Sequence, residues 1–135
     1  MIKYIGEKDY QHGSEDRTGI LLTNLGTPDE PNSRALKPYL REFLSDPRVI
    51  EIPKILWQII LNGIILQIRP RKSAKTYQSI WTEEGSPLLT ISKKQLDKVQ
   101  KKLKPEFPNT IFILAMRYGN PSIPKALKEF KQNNV

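Results

Sequence analysis

Two stretches of the chain, Gly19 to Leu25 and Thr110 to Met116, are mostly apolar runs without strict alternation. That pattern predicts strands buried on both faces, as in a parallel sheet covered by helices. Each run leads into a Gly-x-Pro turn: Gly26-Thr27-Pro28 after the first, Gly119-Asn120-Pro121 after the second. Open α/β sheets place ligands at the carboxyl ends of their strands. Gly26 would let a ligand approach the backbone closely, and Pro28 stiffens the exit. A tight strand-to-helix connection with no ligand explains the same residues.

Between the runs the apolar period changes to that of helices. Leu36, Tyr39, Leu40, Phe43 and Leu44 recur at i, i+3, i+4, i+7 and i+8, which is one buried helical face. Pro38 belongs in a first turn, so this helix is predicted to start near Leu36 or Lys37 and to end at Asp46-Pro47. In Ile52 to Ile68 the residues Lys54, Gln58 and Asn62 fall four apart and make a narrow polar stripe, and nearly everything else is apolar. As a helix this segment spans about 25 Å. It is shorter than the roughly 20 apolar residues a bilayer core requires. Two readings remain open: a helix sandwiched in the core, or an exposed lip, carrying Trp57, Ile59, Ile60 and Ile64, that meets a membrane or a greasy ligand.

Arg69-Pro70-Arg71-Lys72 follows, and Ser73 is predicted to cap a helix bearing Tyr77, Ile80 and Trp81. Glu83-Glu84-Gly85 breaks it. Ser86 and Pro87 read as N-cap and first residue of a helix to about Leu103 that buries Leu89, Leu96, Val99 and Leu103. Ser122 and Pro124 open a last helix burying Ala126, Leu127 and Phe130. The order strand, helices, strand, helix predicts a parallel α/β sheet with right-handed crossovers. Two strands alone would both be edges. The chain is therefore expected to pair with another chain or to be the front of a longer one.

Composition narrows the chemistry. A length of 135 residues suits one domain, read as a flexible polar leader over 1–16 and a folded portion over 17–135. Hydrophobic content of 38% with 27% charged residues describes a soluble globular protein. With no cysteine, disulfides, iron–sulfur clusters and thiol nucleophiles are excluded. The single histidine, His12, lies in the leader. Lys3 and Lys8 flank no apolar core, so no signal peptide is expected, and a cytoplasmic location is. The net charge of +8 is concentrated in Arg69 to Lys72 and in Lys93 to Lys104. The second group, interleaved with Leu96, Val99 and Leu103, forms the outer face of an amphipathic helix. Such charge is compatible with nucleic acid, an anionic membrane surface or an acidic small molecule. The few aromatics form no stacking platform, so nucleic acid is not the expected partner.

The chain contains no G-x-G-x-x-G fingerprint, no P-loop and no complete nucleophile elbow around Ser86. Ser86 reads first as a helix cap, with ligand contact compatible. If the two strands are adjacent, Asn24 to Pro28 and Arg117 to Pro121 meet at one rim. Arg117 offers a permanent planar cation and Tyr118 a ring with a polar tip. Tyr77 and Ser86 add hydroxyls, and Arg69, Arg71 and Lys72 add cations. Such a cleft suits a large flat ligand with acidic substituents.

Four blocks carry a resemblance: Leu22-Thr23-Asn24-Leu25-Gly26-Thr27-Pro28; Tyr39 to Ile50; Tyr77-Gln78-Ser79-Ile80-Trp81 with Gly85-Ser86-Pro87-Leu88; and Met116 to Pro121. Together they resemble the ferrochelatases, bacterial in type, from about Gly19 onward. These lyases insert ferrous iron into protoporphyrin IX, the last step of haem biosynthesis. The resemblance implies a Rossmann-like, chelatase-type parallel sheet with flanking helices, here the N-terminal half of a two-lobed fold. It places Leu25 against the porphyrin face, Arg117 and Tyr118 in the inner site, Tyr77 and Ser86 near the propionates, and Arg69 at the cleft edge. It makes the Ile52 to Ile68 helix the apolar lip, with peripheral contact to the inner membrane. Ferrous iron and protoporphyrin IX are then substrates, and no cofactor is expected on this chain. The family's metal-binding, proton-abstracting His and its partner Glu have no counterpart here. No catalytic or metal residue is therefore assigned to the chain, and a C-terminal half is expected in cis or in trans. A non-catalytic porphyrin-binding or membrane-docking module is the alternative.

Overall fold

The computed structural model describes residues 17–135; the expectations for the leader and His12 fall outside the described residues. Strand β1 (Thr18–Thr27) and strand β2 (Thr110–Gly119) form a parallel pair. Thr18 lies opposite Thr110, Leu22 opposite Leu114, Gly26 opposite Tyr118 and Thr27 opposite Gly119. Helices flank this pair, as expected for the α/β class. β2 continues through Arg117 and Tyr118, so these two belong to the strand and not to the turn after it.

The strands differ in burial. Ile113, Leu114, Ala115 and Met116 of β2 are buried, whereas Thr23, Asn24 and Leu25 of β1 are exposed. The first strand is thus not buried on both faces. Its far edge pairs with no other strand among the described residues. Side chains alternate along each strand. Ile113 and Ala115 pack on Ala126 and Phe130 of the last helix. Tyr118 joins a second cluster with Leu36, Tyr39, Leu40 and Leu44.

Helix α1 spans Ser33–Ser45. It begins a turn earlier than predicted, with Pro38 inside it. Asn32 is the cap: its Oδ1 accepts from Ala35 N at 2.9 Å, and its carbonyl accepts from Leu36 N at 3.0 Å. That cap and the buried stripe Leu36, Tyr39, Leu40 and Leu44 outweigh the hydrogen bond that Pro38 removes. Asp46 ends the helix in extended geometry, as predicted.

The next helical segment is continuous from Lys54 to Ile80, in three parts. These are α2 (Lys54–Ile60), a π-helical turn (Leu61–Ile65) and α3 (Leu66–Ile80). Ser73 lies inside α3 and caps nothing, and Pro70 breaks nothing. The π turn explains why. The N–H of Leu66 reaches the carbonyl of Leu61, and this extra residue resets the phase of the helix. Leu61, Leu66, Pro70 and Ala74 then fall on one buried face against α1. Burying Leu61 and Leu66 supplies about 1.5–3 kcal/mol each.

The opposite face carries Ile55, Ile59, Ile64 and Ile68, all more than half exposed. The segment is therefore not sandwiched in the core. Its named lip residues divide: Ile59 and Ile64 face outward, Ile60 is half-buried, and Trp57 packs inward with Nε1 donating to the Leu44 carbonyl at 2.6 Å. Among the described residues no helix is long and apolar enough to cross a membrane.

Helix α4 (Pro87–Leu103) has the predicted span, and helix α5 (Ile123–Gln132) starts where predicted. Their burial falls short of prediction. Leu89, Leu96 and Leu103 are only half-buried, and Val99 and Leu127 are exposed. A two-stranded sheet is too narrow to cover the whole apolar face of both helices.

Candidate functional site

The strand ends are locked together by backbone geometry. Gly26 has φ +115°, and a Cβ placed on it would lie 1.9 Å from the Tyr118 carbonyl oxygen. Across the pair, a Cβ on Gly119 would lie 2.7 Å from the Thr27 carbonyl oxygen. The neighbouring strand makes a close approach to Gly26, so the tight connection alone already requires glycine there. Tyr39 donates its hydroxyl to the Gly26 carbonyl at 3.2 Å. Burial, and secondarily the neighbouring Tyr77, hold the Tyr39 phenol well above its ordinary pKa, so it stays a donor.

Side chains complete the brace. Ser86 stands at the N-cap position of α4 without capping it. Its Oγ donates instead to Thr27 Oγ1 at 2.8 Å, with both residues buried. Gly119 N donates to Glu42 Oε2 at 2.9 Å, and Asn120 Nδ2 donates to both Asp29 carboxylate oxygens at 3.0 and 3.1 Å. One turn into α4, Ser92 Oγ accepts from Asn24 Nδ2 at 3.0 Å. These bonds tie the ends of β1 and β2 to α1 and α4.

Beside this brace lies a mainly apolar cavity of about 470 Å³, lined by Gly26, Thr27, Tyr77, Ile80, Ser86 and Leu88 among others. It brings together two residues singled out from the sequence, Tyr77 and Ser86. The Tyr77 ring meets Trp81 edge-on, centroids 6.4 Å apart. Leu25, next to Gly26, presents its side chain half exposed. Arg69 is exposed on α3 and does not line this cavity. Arg71 and Lys72 line a separate groove of about 400 Å³ along α3 with Ile68 and Lys75.

Arg117 and Tyr118 converge on a residue that sequence reasoning treated only as a helix stop. Asp46 Oδ2 accepts from Arg117 Nη2 at 2.5 Å and from the Tyr118 hydroxyl at 3.0 Å. Its Oδ1 accepts from Arg48 N at 2.9 Å and Arg48 Nε at 3.2 Å. The Arg48 backbone N–H does most to hold the Asp46 carboxyl down at about 2. Burial, then the bond to Asp46, pushes the Tyr118 phenol above its ordinary value. The Tyr118 ring meets Phe43 edge-on at 5.1 Å, and the Arg117 guanidinium carbon lies 5.0 Å from the Tyr118 centroid. Tyr118 is buried, while the Arg117 side chain is 44% exposed.

Register places Leu25 and Tyr118 at the same end of the sheet, since Gly26 is opposite Tyr118. Alternation puts them on opposite faces. The rim is shared, but only Arg117 of the Arg-Tyr pair opens to solvent. No local pattern marks Asp46 as more than a helix end; only the pairing that brings Arg117 over it reveals its role. Among the described residues, no cluster of three or more His, Cys, Asp or Glu side chains could hold a metal ion.

Comparison with known proteins gives this geometry a context. The ferrochelatase family model matches residues 17–135. The chain is 53% identical to the ferrochelatase of Thioalkalivibrio sulfidiphilus over 97% of its own length and 36% of that protein. It is 52% identical to the Marinobacter nauticus ferrochelatase, covering 98% of the chain and 36% of the relative. With the Chromobacterium violaceum ferrochelatase the identity is 50%, over the whole chain and 37% of the relative. The chain thus spans little more than a third of the curated relatives it matches. A match over nearly the whole chain, at about half identity, establishes that it belongs to the ferrochelatase family.

Proposed function

We propose that this chain forms one wall of the porphyrin cleft of an enzyme that inserts ferrous iron into protoporphyrin IX to make protohaem. The observation that carries the reading is the apolar cavity at the carboxyl end of β1, with the Tyr77 and Ser86 residues at its lining. An apolar wall suits the macrocycle face, and polar tips at its border suit the propionates. Leu25, half exposed beside Gly26, is available to press on the ring. Arg117 supplies a fixed positive charge at the same rim.

Insertion replaces the pyrrole N–H protons by the metal, so it needs a group that takes up protons near working pH. The described residues include no histidine. We assign proton uptake and metal delivery to a further half of the fold, supplied in cis or in trans. The outward face of α2 and α3, with Ile59 and Ile64, supports peripheral contact with a membrane that carries the porphyrin. The basic groove of Arg71, Lys72 and Lys75 runs beside Ile68 on the same helix. This fits a cytoplasmic protein resting on the inner membrane.

The 135-residue polypeptide alone is expected to show no zinc or iron insertion into protoporphyrin above background. Insertion by this polypeptide would overturn the division of labour. Tight porphyrin binding without insertion, unaffected by adding the remaining half, would favour the non-catalytic module.

A further inference from the structure

We propose that Asp46 is the positioning residue for Arg117, and that Tyr118 acts through Asp46 and does not touch substrate. The proposal rests on the reading that Arg117 faces the porphyrin cleft.

The bonding of Asp46 carries it. An ionised carboxylate has about four acceptor positions, and Asp46 receives the Arg48 N and Nε donors on Oδ1 and the Arg117 and Tyr118 donors on Oδ2. Its acceptor capacity is filled. The Tyr118 hydroxyl has one proton and gives it to Asp46. With only 5% of its surface exposed and its ring set against Phe43, Tyr118 has neither the donor nor the access to reach a porphyrin. Arg117 differs. A guanidinium carries five N–H donors; one is spent on Asp46, and the side chain keeps 44% of its surface open.

The rest follows from side-chain entropy. A free arginine samples many rotamers, and fixing them when a ligand arrives costs affinity or rate. Here the cost is met during folding, by a carboxylate that three other donors hold in place. The Tyr118 ring beneath the guanidinium adds a cation–π contact. Asp46 also links distant parts of the chain, the end of α1 and the end of β2, so the position of Arg117 is set by the packing of two elements.

The test uses the full-length polypeptide carrying these residues, with zinc insertion into protoporphyrin as the assay. Asp46→Asn and Tyr118→Phe should each lower kcat by roughly tenfold, as displacement of a positioned group does, with KM for porphyrin within about twofold. The double variant should be no slower than the slower single one, and Asp46→Glu should recover part of the loss. If Asp46→Asn does not fold, Tyr118→Phe alone decides, because it removes one oxygen. A lowered melting temperature with wild-type kcat in Tyr118→Phe would make the network a structural brace and overturn the proposal. Multiplying losses in the double variant would overturn it too, since Tyr118 would then act independently. Wild-type kcat in Arg117→Ala would instead defeat the underlying reading of the cleft.

Discussion

The Tyr118 carbonyl oxygen occupies the space a side chain on Gly26 would need, 1.9 Å from the ideal Cβ position. Gly26 also has φ +115°, which disfavours any L side chain. Gly26→Ala must therefore separate the strand ends as well as strain its own backbone. The expected loss of stability is about 3 kcal/mol, combining overpacking with an unfavourable φ. Denaturant unfolding of the two proteins measures it. A loss below about 0.5 kcal/mol, typical of a surface change, would mean that the strands do not approach this closely.

Ser86 and Thr27 share a buried hydroxyl pair across the rim. Ser86→Ala leaves the Thr27 hydroxyl without that partner and should cost about 1–3 kcal/mol. Replacing both, as Ser86→Ala with Thr27→Val, should cost less than the sum of the single changes, since no polar group is then stranded. Strict additivity in urea melts would place Ser86 at the helix start without any link to β1.

Asp46 sets an acid limit. Its folded pKa of about 2 lies below the ordinary 3.8, chiefly because the Arg48 backbone N–H donates to the carboxylate. Ionised Asp46 therefore stabilises the fold fully above pH 3.8, and that contribution disappears as pH falls from there to about 2. Melting temperature followed over this window should decline less steeply in Asp46→Asn than in the wild type. Parallel curves would show that Asp46 is not held in this network.

The outward face of α2 is exposed enough to be changed without unfolding. Ile59 is 67% exposed, whereas Leu61 is fully buried. Ile59→Asp should alter stability by less than about 0.5 kcal/mol and Leu61→Asp should unfold the chain. Sedimentation with anionic liposomes should recover less of the Ile59→Asp protein than of the wild type. Equal recovery would remove this face from membrane contact.

The sheet and the two helices after Ser86 were legible because their signals are local: continuous apolar runs, and Pro at the first turn. The helix from Lys54 to Ile80 was not. Ser73 reads as the cap of a new helix, but one extra residue in the π turn keeps Leu61, Leu66, Pro70 and Ala74 on a common face of one continuous helix. Period counting at 3.6 residues cannot see such a phase reset. The burial of Leu127 and Val99 was overestimated for a different reason: a helical stripe marks a face, and the face stays open unless something packs on it. In the site, Tyr77 and Ser86 line one cavity. The network around Asp46 is not legible locally, because its partners, Arg117 and Tyr118, are 71 and 72 residues away. The burial of Tyr118 is not legible either, because an aromatic at a strand end does not reveal which face of the sheet it takes.

Porphyrin affinity of an Ile80→Asp variant probes the cavity most directly. Ile80 lines it and is 55% exposed, so the change spares the core. Fluorescence titration of the full-length polypeptide with protoporphyrin IX should show binding weakened by roughly tenfold, the effect of losing one apolar contact, at an unchanged melting temperature. Wild-type affinity in this variant would mean that the macrocycle lies elsewhere and that the end of β1 is not a cleft wall.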